Sequence, residues 1–212
     1  MKKYILKSIF LLAIGATTLS SCTSDNDYDT PPFKEAYFLQ TFENHTYGSG
    51  STEVNVNLEG VINTNLTNTP LWNVKQYSSN RYMQFSSFYS AAGTNDNAWL
   101  ILPAATLGAN ESATLSFDLA QAFPVGTFPL KVRYSSDFSG DQADIQNATW
   151  TDVPFTFPST TAAYEFVRFQ NLSIPNTATE AKDVYVAFYY QGAKTGGSTH
   201  TIQVDNIKLI KQ

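Results

Sequence analysis

The sequence predicts an all-β protein made of two packed antiparallel sheets, and three observations carry that prediction. From Ala36 onward the helical period of apolar residues is almost absent. Short runs rich in Val, Ile, Thr, Tyr and Phe are separated by clusters of Gly, Asn, Ser and Pro, which is how strands and turns are written in sequence. Within the runs, apolar and polar residues alternate, so each strand offers one face to a core and the other to water.

Taken in order, strands are expected at AYFLQTF (36–42), EVNVNLEG (53–60), LWNVKQY (71–77), RYMQFSSF (81–88), AWLILPA (98–104), SATLSFDLAQAF (112–123), PLKVRYSS (129–136), TWTDVPFTF (149–157), EFVRFQNLSI (165–174), DVYVAFYYQG (183–192) and TIQVDNIKLI (201–210). Alternation assigns Leu115, Phe117 and Leu119 to one face, with Ser116, Asp118 and Ala120 on the other. By the same logic Leu130, Val132 and Tyr134 oppose Lys131 and Arg133, and Val167 and Phe169 oppose Arg168 and Gln170. The last run is mixed: Ile202, Val204, Asn206, Lys208 and Ile210 share one parity, Asp205, Ile207 and Leu209 the other. Asp205 falls among apolar residues, so it is expected near a strand end or against a partner such as a cation.

The amino terminus reads differently. MKKYILKSIFLLAIGATTLSSC begins with Lys2, Lys3 and Lys7, continues through an apolar stretch from Ile9 to Ala16, and ends on small residues before Cys22, the layout of a secretory signal. Such a run is too short to cross a ~30 Å hydrocarbon core, which takes about 20 residues. Leu19-Ser20-Ser21-Cys22 resembles the lipobox of bacterial lipoproteins. That resemblance implies acylation of Cys22, cleavage before it, and an outer-membrane lipid anchor in place of a protein span. Residues 23–32, TSDNDYDTPP, read as a flexible acidic tether. Asp25, Asp27 and Asp29 resemble the acidic export signal of surface lipoproteins in Bacteroidetes-type bacteria, which implies a position facing the cell exterior. The expected organisation is a signal peptide over 1–21, a lipidated cysteine and tether over 22–35, and one β-sandwich domain over 36–212.

The whole chain has 13 basic and 18 acidic residues and a formal net charge of −5; loss of the three signal lysines takes it to −8. A surface this acidic disfavours nucleic acid, whose phosphates call for a basic patch. Cys22 is the one cysteine, so once it is acylated no thiol remains for a disulfide, a metal or nucleophilic catalysis.

The ordered segments TFEN (41–44), Trp72, NAWLILPA (97–104), TLSFDLA (114–120), LKVRYSSDFSGD (130–141), ATWTDV (148–153), VYVAFYYQG (184–192) and IQVDNIKL (202–209) resemble the choice-of-anchor J domains and the similar gingipain cleaved adhesin domains. The resemblance covers nearly all of the chain after the tether. It implies a jelly-roll β-sandwich on a secreted or surface-anchored protein, without known catalysis. It also implies a structural calcium where the first and last strands meet, with Glu43 and Asp205 as candidate ligands, since calcium takes six to eight oxygens and several can be carbonyls. Asp137, Asp141 and Asp144 lack the spacing of a tight calcium loop and read as turn residues.

QYSSNRYMQFSSFY (76–89) crowds aromatics among serines. Flat rings can pack on the C–H face of a sugar while hydroxyls and a guanidinium bond its rim. Tyr77, Arg81, Phe85 and Tyr89 are therefore candidate glycan contacts, with Tyr82 and Phe88 on the opposite, inward parity. Asp118, Arg133 and Arg168 are candidates to line a concave sheet face, although cross-strand ion pairs account for them equally well. His45 and His200 are the two histidines. No Gly-x-Ser-x-Gly elbow and no histidine metal spacing accompanies them. The expected function is non-catalytic binding, of glycans first, of a surface protein as the alternative, with a glycan-active hydrolase third.

Overall fold

The computed structural model describes residues 34–68 and 70–212; the signal, Cys22 and the tether lie outside them. Among the described residues there are twelve strands: β1 (Ala36–Gln40), β2 (Ile62–Asn65), β3 (Asn73–Tyr77), β4 (Asn80–Phe85), β5 (Asn95–Ile101), β6 (Ala105–Leu107), β7 (Ser112–Ala122), β8 (Leu130–Ser135), β9 (Thr151–Asp152), β10 (Val167–Pro175), β11 (Lys182–Ala193) and β12 (Thr201–Lys211). Short 3-10 turns follow β4 and β8, at Ser87–Tyr89 and Gln142–Asp144. No helix among the described residues is long and apolar enough to cross a membrane.

The strands form the two antiparallel sheets of a sandwich. The first runs β10-β7-β12-β4-β3, with β1 also on β12; the second runs β2-β5-β11-β8-β9, with β6 also on β11. Two expected strands differ. Residues 53–60 make only an isolated bridge, Asn55 to Asn73 of β3, while β2, which was not expected, edges the second sheet against β5. The expected 149–157 strand shortens to two residues.

The sheets close on each other through the faces that alternation assigns inward. Leu115, Phe117 and Leu119 are buried there with Val132, Val186, Phe188, Ile202 and Val204. Aromatic contacts span the gap: Phe117 lies edge-on to Phe188 at 5.2 Å, and Trp72 edge-on to Tyr190 at 6.4 Å. Each fully buried Leu or Phe contributes about 1.5–3 kcal/mol, and these residues belong to one compact unit, 34–212.

A β-bulge explains the mixed parity of the last run. The pairing of β12 with β7 slips between Asp205 and Lys208, and Asn206 takes φ 50°, in the left-handed region that Asn tolerates better than most residues. Before the slip Ile202 and Val204 face the core; after it Ile207 and Leu209 do. Asp205 is consequently mid-strand on the outer face, not at a strand end.

The β3–β4 hairpin produces a similar change of phase. Ser78 and Ser79 both have positive φ (47° and 70°) between paired Tyr77 and Asn80, the geometry of a two-residue type I′ turn. Val74 pairs with Met83, and Met83 with Val204, so even positions of β3 and odd positions of β4 go inward. Phe85 therefore lies in the core, 1% exposed, 5.6 Å from Trp72 and 4.6 Å from Tyr190. It is removed from the candidate contacts. Tyr82, assigned inward by simple counting, is on the outer face.

The second sheet carries another apolar cluster on its far side. Trp99, Ile101, Phe138, Ile145, Ala187 and Tyr189 pack there, with Trp150 5.0 Å from Trp99. This is why β5 and β11 read as nearly continuous apolar runs: they are covered on both faces. The body's two ends meet, since the Lys211 amide donates to the Glu35 carbonyl (2.9 Å) and β1 pairs with the last half of β12.

Candidate functional site

The outer face of the first sheet is hollowed into a groove of about 1000 Å³. Its floor comes from side chains that the pleat turns away from the core: Tyr82 and Gln84 of β4, Thr201, Gln203 and Asp205 of β12, and Asp118 of β7. Loops and strand ends form the banks. Tyr77 at the end of β3 and Tyr47 of the preceding loop stand there with Tyr89, Phe123 and Tyr164. These aromatics are exposed: Tyr77 by 75%, Phe123 by 67%, Tyr89 by 61% and Tyr164 by 47%. Phe123 and Tyr164 meet edge-on at 5.9 Å, and each has positive φ (49° and 65°).

The floor is polar and internally bonded. Gln203 donates through Nε2 to Gln84 Oε1 (3.0 Å), and Tyr82, whose hydroxyl burial holds above its ordinary pKa, bonds to Gln203. Asp118 accepts two parallel bonds from Arg168, Nε to Oδ1 at 2.7 Å and Nη2 to Oδ2 at 2.8 Å. Asn206 adds a third from Nδ2 to Oδ2 (2.8 Å). The Arg168 guanidinium is the main reason the Asp118 carboxyl is held below the usual carboxylate range.

Asp205, directly across the ladder from Asp118, makes no ion pair among the described residues. It is 3% exposed, and burial pushes its carboxyl up to about 6, against the opposing pull of hydrogen bonds from Asn206 and Asn80. Its Oδ1 accepts the Asn206 backbone N–H at 2.6 Å. With its amide nitrogen turned to the acids, Asn80 donates to Asp205 Oδ2 (3.3 Å) and Glu43 Oε1 (3.2 Å).

Glu43 and Asp205 are thus brought together, as the calcium expectation requires, but through a shared N–H donor. Glu43 Oε1 also accepts the Arg81 backbone N–H (3.2 Å), and the Arg81 guanidinium bonds the Glu43 carbonyl. Glu43 Oε1 and both Asp205 oxygens therefore each accept an N–H donor. Among the described residues no group of three or more His, Cys, Asp or Glu gathers. Asn80 joins the two acids as a hydrogen-bonded strap.

The remaining candidates divide. Tyr77, Tyr89 and Asp118 line the groove. Arg168 reaches it through Asp118. Arg81 lies behind the bank, where it bonds the His45 carbonyl (3.0 Å) and Gln76 Oε1 (2.8 Å) and stacks 4.9 Å from the centre of the Tyr47 ring; it props the loop that presents Tyr47. Arg133 belongs to the other sheet. It bonds Asp152 at 2.8 Å and lies over Trp99 and Tyr189, because β8 is in the second sheet. It is therefore not part of this groove.

Sequence reasoning missed Tyr47, Phe123 and Tyr164, which come from connections instead of strands. The one available signal was an aromatic beside Gly or Pro at a strand end, as in QAFPVG and HTYGSG. His200 is buried, with Nδ1 3.1 Å from Gln121 Oε1 and its ring against Phe128; burial lowers its pKa. Its partner is an amide, not the acid a triad would use. Asp137, Asp141 and Asp144 serve turns: Asp137 accepts from Ser135 and the Thr149 amide, Asp141 caps the 3-10 turn, and Asp144 accepts from Ser139.

The architecture is shared with solved structures of low sequence identity, which speaks to the fold alone. The tandem CBM22-1–CBM22-2 domain of Paenibacillus barcinonensis Xyn10C matches at 15% identity and TM-score 0.52, over 85% of this chain and 51% of that one. Its CBM22-2 xylan-binding domain taken singly gives 15% identity and TM-score 0.49, over 82% and 99%. The K3 cleaved adhesin domain of Lys-gingipain from Porphyromonas gingivalis W83 gives 16% identity and TM-score 0.46, over 82% and 98%. No curated protein matches the chain. Residues 84–211, which include β5 to β12 and hence most of both sheets, match the model of the domain of unknown function DUF5017, and the chain belongs to that family.

Proposed function

We propose that this protein is a non-catalytic glycan-binding module, with the groove on its first sheet as the binding face. One observation carries the reading: four exposed aromatic rings line a groove whose floor is amide, hydroxyl and carboxylate. Rings of this kind cover the C–H faces of pyranosides, and amides and carboxylates pair with their hydroxyls in both donor and acceptor senses. A β-sandwich fold assigns no ligand on its own, so the surface chemistry has to. The reading includes anchorage through acyl chains on Cys22, which would hold the module at the outer-membrane surface facing the cell exterior.

The test is retention of residues 34–212 on a panel of immobilised polysaccharides, with Tyr77→Ala and Phe123→Ala as variants. Retention of at least one polysaccharide, weakened about tenfold by either variant as expected for loss of a stacking ring, supports the reading. Failure of every polysaccharide removes it.

A second reading, adhesion to a protein, is favoured by Phe88 and Val125. Both are exposed, by 60% and 56%, and both stand outside the groove lining. A protein partner would cover such side chains. Crosslinking at the cell surface that is lost in Phe88→Ser, with no effect of sugars on melting, would support it.

A further inference from the structure

We propose that the groove selects uncharged glycan chains and turns away chains that carry carboxylates or sulfates. The inference rests on the glycan-binding reading and names the class of ligand within it.

The argument is one of partners. Recognition of an acidic sugar calls for Arg or Lys donors that are free to pair with it, usually by two parallel bonds. The cations near this groove are committed elsewhere. Arg168 spends its Nε and Nη2 on Asp118. Arg81 is turned behind the bank onto the Glu43 and His45 carbonyls and Gln76. Lys75, the one cation in the groove lining among the described residues, donates through Nζ to the Thr52 carbonyl (2.8 Å) and the Gly50 carbonyl (3.4 Å). That holds it against the loop that forms the bank.

Two carboxylates face the groove from below, and Asp205 among them has amide donors for partners and no ion pair among the described residues. An anionic sugar lowered onto this floor would meet like charge in a site that water only partly screens. A neutral sugar meets what it can use: the Gln84–Gln203 amide pair, the Thr201 hydroxyl and carboxylate oxygens that accept from its hydroxyls. The aromatic banks contribute equally to either class and so do not discriminate.

The experiment uses matched polymers. Residues 34–212 are titrated with neutral polysaccharides and with the same polysaccharides after oxidation of their C6 hydroxyls to carboxylates, at low and at physiological ionic strength. The expected result is binding of a neutral polymer that is insensitive to salt, with the oxidised form at least about tenfold weaker at low salt. Asp118→Asn, which releases Arg168, is expected to shift the oxidised-to-neutral ratio about fivefold toward the oxidised form. Equal or tighter binding of the oxidised polymer, weakening with salt, overturns the inference while leaving the glycan reading in place. An unmoved ratio in Asp118→Asn overturns the charge argument. Binding of neither form removes both.

Discussion

Replacing Asp205 by Asn tests the electrostatics of the groove floor. Burial raises this carboxyl from 3.8 to about 6, which at ~1.4 kcal/mol for each tenfold change in proton affinity amounts to about 3 kcal/mol. The sign follows from linkage. The folded state holds the proton more tightly than the unfolded chain, so the penalty is absent below the unfolded value near 3.8, grows as pH rises, and is complete above about pH 6. Asparagine carries no charge to desolvate. It keeps one acceptor for the Asn206 N–H and loses the second, at a cost of ~1 kcal/mol. The variant should therefore be more stable than wild type by about 2 kcal/mol near neutral pH, and equal or slightly weaker near pH 4. The assay is urea unfolding of residues 34–212 from about pH 4 to 8, in EDTA, read as variant minus wild type. The difference isolates Asp205, because Asp118, Asp137 and Asp152 are held below their ordinary range and give the opposite slope in both proteins. A difference that does not change with pH would refute the reasoning.

Other outcomes follow from the geometry. Phe85→Ala should cost about 3–5 kcal/mol in the same unfolding assay, as for a fully buried aromatic, and a loss under ~1 kcal/mol would return Phe85 to the surface. Asn206→Gly should be tolerated better than Asn206→Val by about 1–2 kcal/mol, because glycine keeps the positive φ that valine resists; equal losses would deny the bulge. Calcium in place of EDTA should leave the melting temperature unchanged, and a rise of several degrees that disappears in Glu43→Gln would restore Glu43 and Asp205 as ligands.

What was legible in the sequence was the fold, and the reason is local. Strands such as SATLSFDLAQ carry an uninterrupted alternation, and the structure buries Leu115, Phe117 and Leu119 as that alternation requires. Errors of facing arose where one residue of backbone geometry changes the count. The I′ turn at Ser78–Ser79 exchanges Phe85 for Tyr82, and the bulge at Asn206 moves Asp205 to the outer face. Neither serine announces a positive φ, since Asn and Gly are the usual signals. In TIQVDNIKLI the trace was visible as mixed parity, but a change of phase within a strand and a strand end look alike on paper. Tyr77 and Asp118 were found because their own strands point to the groove, and Tyr89 because it closes the same aromatic run, in the 3-10 turn after β4. Tyr47, Phe123 and Tyr164 escaped because loop conformation, not period, sets where they stand.

The meeting of the body's two ends has a practical consequence. Glu35 and Lys211 sit together at the close of β12, whereas Thr201, which opens that strand, belongs to the groove. At ~3.3 Å per residue, β12 spans roughly 30 Å between the two. A biotin, a sensor chip or a fluorescent fusion grafted beyond Lys211 therefore emerges at the far end of β12 from Thr201 and from Phe123, which follows the Ala122 that pairs with Thr201.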